Sequence, residues 1–252
     1  FLVVYFIFFG SARKRFDFKK AYKEKAIKKL IAFILPTFTH TSFQYIPHKV
    51  YNESKICLPA PAMYTGEDYV QGLIGDTSVE FSEILAQEVI TDNKGRTQYS
   101  TVFNGLFFIS SFKRNFTADT YIFGELSDKF QETFEKLFHD INILRPERVK
   151  TGNAGMDTQF MVYSTDAEQA GHLFTKEFME LITVYKERKK ADVQIALHKE
   201  RVYIAVPLPA RLFNVSLYKS VLKNTDTEEY FSAVKFCFSV LDALKNNPRI
   251  WT

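Results

Sequence analysis

The sequence predicts an α+β fold organised around an antiparallel β-meander, and three observations predict it. Between residues 66 and 123, apolar and polar positions alternate in four runs: Tyr69, Gln71 and Leu73; Val79, Phe81 and Leu85; Tyr99, Thr101, Phe103 and Gly105; Tyr121 and Phe123. Residues two apart on a strand share a face, so each run buries one side of a sheet and wets the other. Turn signals separate the runs, Gly75-Asp76 and Asp92-Asn93-Lys94-Gly95, the second suited to a hairpin with its glycine in the left-handed region. The remaining order is helix, strands, two helices, hairpin, helix, without the regular strand–helix alternation of a doubly wound sheet.

A chain of 252 residues that is 46% hydrophobic buries a sizeable core as one large or two small domains. Its 26 Phe and 13 Tyr read as core mass, since aromatics favour strands and dominate packing. The two cysteines, Cys57 and Cys237, are far apart and lack metal-type spacing, so they read as reduced, buried thiols. The net charge of +4 hides an uneven distribution: residues 11–30 hold nine Lys or Arg against Asp17 and Glu24, a local +7, which leaves residues 31–252 at −3.

Residues 1–10, FLVVYFIFFG, are apolar and precede the basic run. Ten residues cover about half of the roughly 20 a bilayer core requires, and a signal peptide would carry its charge before the apolar stretch. The segment therefore reads as the C-terminal end of a transmembrane helix. Residues 11–35 read as a basic juxtamembrane helix, because Phe16, Tyr22, Lys23, Ala26, Ile27, Leu30, Ile31 and Ile34 recur at helical spacing before Pro36 stops it. Positive charge directly after an apolar span marks the cytoplasmic side, which places the soluble part in the cytoplasm at the inner membrane. Arg13, Lys14, Arg15, Lys19 and Lys20 suit anionic lipid headgroups. One basic run beside an acidic remainder does not suit a nucleic-acid arm.

Residues 36–66, with Pro36, Pro47, Pro59 and Pro61, read as a linker carrying one short helix or strand. Residues 67–252 read as the α+β domain, with a sub-boundary near 145. After the meander, Ser127 can cap a helix whose face is Phe130, Phe134, Leu137, Phe138 and Ile141. ERVKTG and QFMVYSTD read as strands around Gly152-Asn153-Ala154-Gly155. Asp166 starts one helix and Thr175 caps another with stripe Phe178, Leu181, Ile182 and Tyr185. VQIALH and RVYIAVPL form a hairpin, and Asp226 or Thr227 opens a last helix with stripe Tyr230, Phe231, Val234, Phe238, Leu241 and Leu244.

Three phrases in order, Gly72-Leu73-Ile74-Gly75 to Phe81-Ser82-Glu83-Ile84, Val102–Phe108 (VFNGLFF) with Phe112 and Phe116, and Phe160–Asp166 (FMVYSTD) with Ala170 and Leu173, resemble a bacterial membrane-protein family of unknown function, domain-of-unknown-function family 3137. The resemblance covers about residues 45–210. It implies N-terminal transmembrane helices and a cytoplasmic α+β domain, and it carries no established activity, substrate or catalytic residue.

The residues themselves supply no compact catalytic motif. The five histidines, His40, His48, His139, His172 and His198, form no zinc-type pattern, so no metal is assigned. Gly72–Gly75 and Gly152–Gly155 lack the context of a phosphate-binding loop and read as turns, so no cofactor is assigned. Glu67 and Asp68 with Asp76 lack the ordered spacing of a calcium loop. Ser82 and Ser110 lie in no nucleophile elbow. The remaining surface candidate is Phe108, Phe112, Lys113 and Arg114, near Phe107 and Phe116. On a strand Phe107 and Phe108 point to opposite faces, so one can be exposed, and basic residues flanked by aromatics suit a headgroup region or a partner's acidic segment. A meander followed by a helix can close as a partial barrel in the style of pleckstrin-homology modules, an analogy of fold alone. The reading is a membrane-anchored cytoplasmic binding or adaptor domain for lipid or an unknown protein partner, and not an enzyme. The alternative is a membrane-associated hydrolase or transferase whose site joins scattered residues such as His172, Asp166 and Glu83.

Overall fold

A computed structural model describes residues 20–21, 23–56, 58, 60–91, 95–124, 134, 136, 146–208 and 225–252. A π-helical turn at Lys23–Ile27 leads into α1 (Lys28–Ile34). Then follow β1 (Thr39–Thr41), α2 (His48–Glu53), β2 (Met63–Ile74), β3 (Thr77–Thr91), β4 (Thr97–Ser111) and β5 (Thr120–Phe123). The second half holds β6 (Glu147–Val149), α3 (Ala154–Gln159), β7 (Met161–Ser164), α4 (Ala167–Gly171), α5 (Lys176–Lys189), β8 (Gln194–His198), β9 (Arg201–Pro207) and α6 (Thr225–Lys245). Among the described residues, nine strands join one antiparallel sheet in the order β1-β2-β3-β4-β9-β8-β5-β7-β6.

The sheet is α+β as expected, but it is open rather than a partial barrel, and both β regions belong to it. Only β2, β3 and β4 form the meander. The fourth run, β5, pairs with β8 and β7 instead, because the β8–β9 hairpin occupies the place beside β4. The reason lies in side-chain character: β9 reads RVYIAVP with its five inner residues buried, and a strand apolar on both faces requires a central place with cover on each side. The two-residue turn between β2 and β3 uses Gly75 at φ +64, the conformation such hairpins demand at their first central residue.

Cover comes from two layers. On one face Val79, Phe81, Leu106, Phe108, Val202 and Ile204 pack with Phe178 and Ile182 of α5 and Tyr230, Val234, Leu241 and Leu244 of α6. On the other, Phe103, Phe107, Tyr121, Phe123 and Tyr203 pack with Ile46, Tyr51, Ile56 and Phe134. Full burial of each such aliphatic or Phe side chain stabilises by about 1.5–3 kcal/mol. Residues 36–66 carry both a short strand and a short helix. β1 pairs Thr39–Thr41 with Tyr69–Gln71, and α2, entered through Pro47, drives Tyr51 into the second core. The phenol of Tyr64 donates to the Ile46 carbonyl at 2.7 Å.

The Gly152–Gly155 segment is also more than a turn: Asn153 accepts from the Met156 amide and caps α3, so β7 begins only at Met161. Thr175 caps α5 as predicted, and α6 ends at Lys245, before Pro248. Cys237 is a buried free thiol, while Cys57 lies outside the described residues. So do residues 1–19, including Arg13, Lys14, Arg15 and Lys19, and all but Phe134 and Lys136 of the helix predicted after Ser127. Among the described residues no helix is long and apolar enough to cross a membrane.

Candidate functional site

Strand β2 carries an irregularity between Glu67 and Val70. A regular strand sends neighbouring side chains to opposite faces. Here Asp68 adopts φ +58, a left-handed conformation that Asp tolerates better than most residues, and both Glu67 and Asp68 are buried. Glu67 is directly opposite Glu83 of β3, a pairing that is unfavourable for two like charges. One carboxylate oxygen from each of Glu67, Asp68 and Glu83 lies within 4.8 Å of the others.

The π-helical turn brings the counter-charge. Lys23, Ile27 and Ile31 recur every four residues and face the sheet, each at most 1% exposed. The Lys23 ammonium donates to Asp68 Oδ2 and lies 3.1 Å from Glu67 Oε2. His40 of β1 completes the set, with Nε2 3.0 Å from Asp68 Oδ1. From α6, Tyr230 faces Asp68 and Glu83; burial first, then those two carboxylates, push its phenol well above the ordinary value. Three carboxylates of this spacing form an oxygen donor set suited to a hard cation, and the ammonium of Lys23 occupies two of them. The cluster ties four segments together: the N-terminal helix, β1, the β2–β3 pair and α6.

A second constellation is partly open to solvent. His198 Nδ1 lies 2.6 Å from Asp119 Oδ2, and the Lys199 amide donates to Asp119 Oδ1 at 3.3 Å. Lys55 and Lys199 both hold positive φ. Burial lowers the pKa of Lys55, Asp119 opposes that shift, and Lys199 adds to it. Arg201 reaches Glu53 and Glu200, each at 3.6 Å.

The residues singled out from sequence fall differently. Phe108 is fully buried, as is Phe107, one in each core, so Phe108 is no surface anchor: strand alternation points the two rings to opposite faces, and both faces are covered. Phe112 packs against Phe116 and Trp251. Lys113 and Arg114 are exposed; Lys113 pairs with Asp76 at 3.6 Å, and the Arg114 guanidinium lies 5.2 Å from the Trp251 ring centre. Lys20 is exposed. Asp76, exposed on its turn, stays apart from Glu67 and Asp68, whose third acid is Glu83. His172, Asp166 and Glu83 do not assemble: Asp166 accepts from the Glu168 and Gln169 amides as a helix cap, His172 ends that helix, and Glu83 belongs to the Lys23 cluster.

A profile of the family described as "Protein of unknown function (DUF3137)" matches residues 101–246. No curated protein matches the chain. Among solved structures, the fold is similar to the crystal structure of the mycobacterial trehalose monomycolate transport factor A, TtfA, with a TM-score of 0.44 and 12% identity over 92% of this chain and 94% of that one.

Proposed function

The chain belongs to the DUF3137 family of proteins of unknown function, and from that premise we propose that it is a binding or adaptor domain tethered to the inner membrane by its N-terminal segment and facing the cytoplasm. The observation that carries this reading is the burial of Lys23. Its ion pairs with Glu67 and Asp68 make the helical segment from Lys23 to Ile34, in the second half of the basic run, an integral layer of the domain. Residues 23–34 are thereby held against the sheet. The positive charge clustered after an apolar segment supports the cytoplasmic side. The role is binding: the buried cluster of Glu67, Asp68 and Glu83 takes the Lys23 ammonium, the arrangement of a structural clasp.

Fractionation of cells producing the full chain tests this. The chain is expected in the membrane pellet after a high-salt wash, and digested by external protease only once the inner membrane is opened. Recovery in the soluble fraction, or digestion in intact spheroplasts, overturns it. A hydrolase or transferase is the second reading, favoured by the 2.6 Å Asp119–His198 pair, since a carboxylate on Nδ1 orients an imidazole for proton transfer through Nε2. Hydrolysis of a broad ester and phosphoester panel, lost in His198→Ala and Asp119→Asn, would favour it.

A further inference from the structure

Docking of the N-terminal helix decides which of its residues look outward. With Lys23, Ile27 and Ile31 turned to the sheet, Lys25, Lys28, Lys29 and Phe33 are exposed. Phe33 is 85% exposed, the highest value among the exposed large apolar side chains of the described residues. Helical neighbours recur at about four positions, so Lys29 adjoins both Lys25 and Phe33. No described residue forms an ion pair with any of the three lysines. Like charges at such spacing repel, and the repulsion persists here because the opposite face is fixed by packing and by the Lys23 clasp. An apolar ring beside three ammonium groups against a single exposed acid, Glu24, within the basic run of residues 11–30, is the surface chemistry of a helix lying at an anionic lipid interface.

We propose that the outward face formed by Lys25, Lys28, Lys29 and Phe33 is a docking surface for an anionic bilayer, with Phe33 entering the headgroup region and the three lysines pairing with lipid phosphates. This rests on the membrane-tethered reading above and specifies the contact. It assigns the clasp its role, since a helix whose buried face is pinned cannot roll and offers one face only. It also moves the lipid contact from the aromatic loop at residues 112–114 to the helix.

The test uses the full chain on vesicles of phosphatidylcholine alone, or with about a third phosphatidylglycerol, at low salt. Each lysine near an anionic surface contributes about 1 kcal/mol, so Lys25→Glu/Lys28→Glu/Lys29→Glu is expected to lower the preference for anionic vesicles by roughly 100-fold. The charge-matched control Lys150→Glu/Lys176→Glu/Lys235→Glu is expected to leave it within a fewfold. A second readout reports on Phe33: in a Phe33→Trp/Trp251→Phe chain the indole emission is expected to shift to the blue on anionic vesicles and to be quenched by shallow brominated lipids. If the chain binds vesicles but the helix variant keeps its preference, or the residue-33 indole stays solvent-like, this surface is wrong while the tethered reading stands. If the unaltered full chain binds neither vesicle, the tethered reading fails with it.

Discussion

Lys23 and Asp68, forty-five positions apart in sequence, form an ion pair in which neither side chain retains any solvent exposure. Breaking a buried pair by removing one partner is costly, because it leaves the other charge uncompensated. In Lys23→Met, Glu67 and Asp68 lose their ammonium. The expected loss is about 3–5 kcal/mol, a fall in melting temperature of roughly 6–20 °C for a chain of this size. Adding Asp68→Asn to Lys23→Met should restore part of it. Calorimetry of Lys23→Met, Asp68→Asn and the double variant checks this, and additive losses would mean the pair is not coupled.

Burial raises the phenols of Tyr121, Tyr185 and Tyr230 above their ordinary value of 10.0, and Tyr69 is raised by burial and then by its hydrogen bond to Glu80. A group whose folded pKa exceeds its unfolded one contributes its stability below the unfolded value and loses it as pH rises. Alkaline unfolding is therefore expected to set in above about pH 10. In a titration followed at 295 nm, these phenols should ionise together with loss of circular dichroism. Their smooth ionisation in a folded chain would contradict the packing.

Lys55 carries the opposite shift. Burial lowers its pKa from 10.5, and Asp119 opposes the change. The pH profile for acylation of Lys55, read by peptide mass spectrometry, should have its midpoint below the ordinary lysine value of 10.5. Asp119→Asn should lower the midpoint further, because the opposing carboxylate is gone. An unchanged midpoint in that variant would remove Asp119 from the environment of Lys55.

Gly105 of the VFNGLFF phrase is explained by close approach between strands. A Cβ there would lie 2.1 Å from the Val206 carbonyl oxygen and 2.9 Å from the Leu208 amide, both backbone atoms that cannot swing aside. Gly105→Ala should cost about 1–3 kcal/mol, measured by urea unfolding. A cost within error of zero would mean that β4 and β9 separate freely at that point.

Local pattern was legible where a short stretch decides its own structure. The hydroxyl of Thr175 before the Phe178 and Ile182 stripe marked α5, and VQIALH with RVYIAVPL marked the β8–β9 hairpin. Placement in the sheet was not legible. Tyr121 and Phe123 alternate like a fourth meander strand, and nothing within β5 says that Ala196 and Tyr163 are its neighbours. The clasp left one trace, a lysine at position 23 on the same four-residue repeat as Ile27 and Ile31. Its acids were hidden because a regular strand would separate Glu67 from Asp68, and the irregularity that unites them has no local signature. The Asp119–His198 pair spans 79 positions, beyond any spacing motif.

The most direct test of the clasp is amide hydrogen exchange in the full chain, comparing residues 23–34 in the unaltered protein and in Lys23→Met. Slow exchange is expected across this helix, at a rate approaching that of β2 and β3, and fast exchange in the variant while β4 and β9 stay protected. Fast exchange of residues 23–34 in the unaltered chain would mean that the helix is not held to the sheet, and the fixed presentation of its basic face would be contradicted.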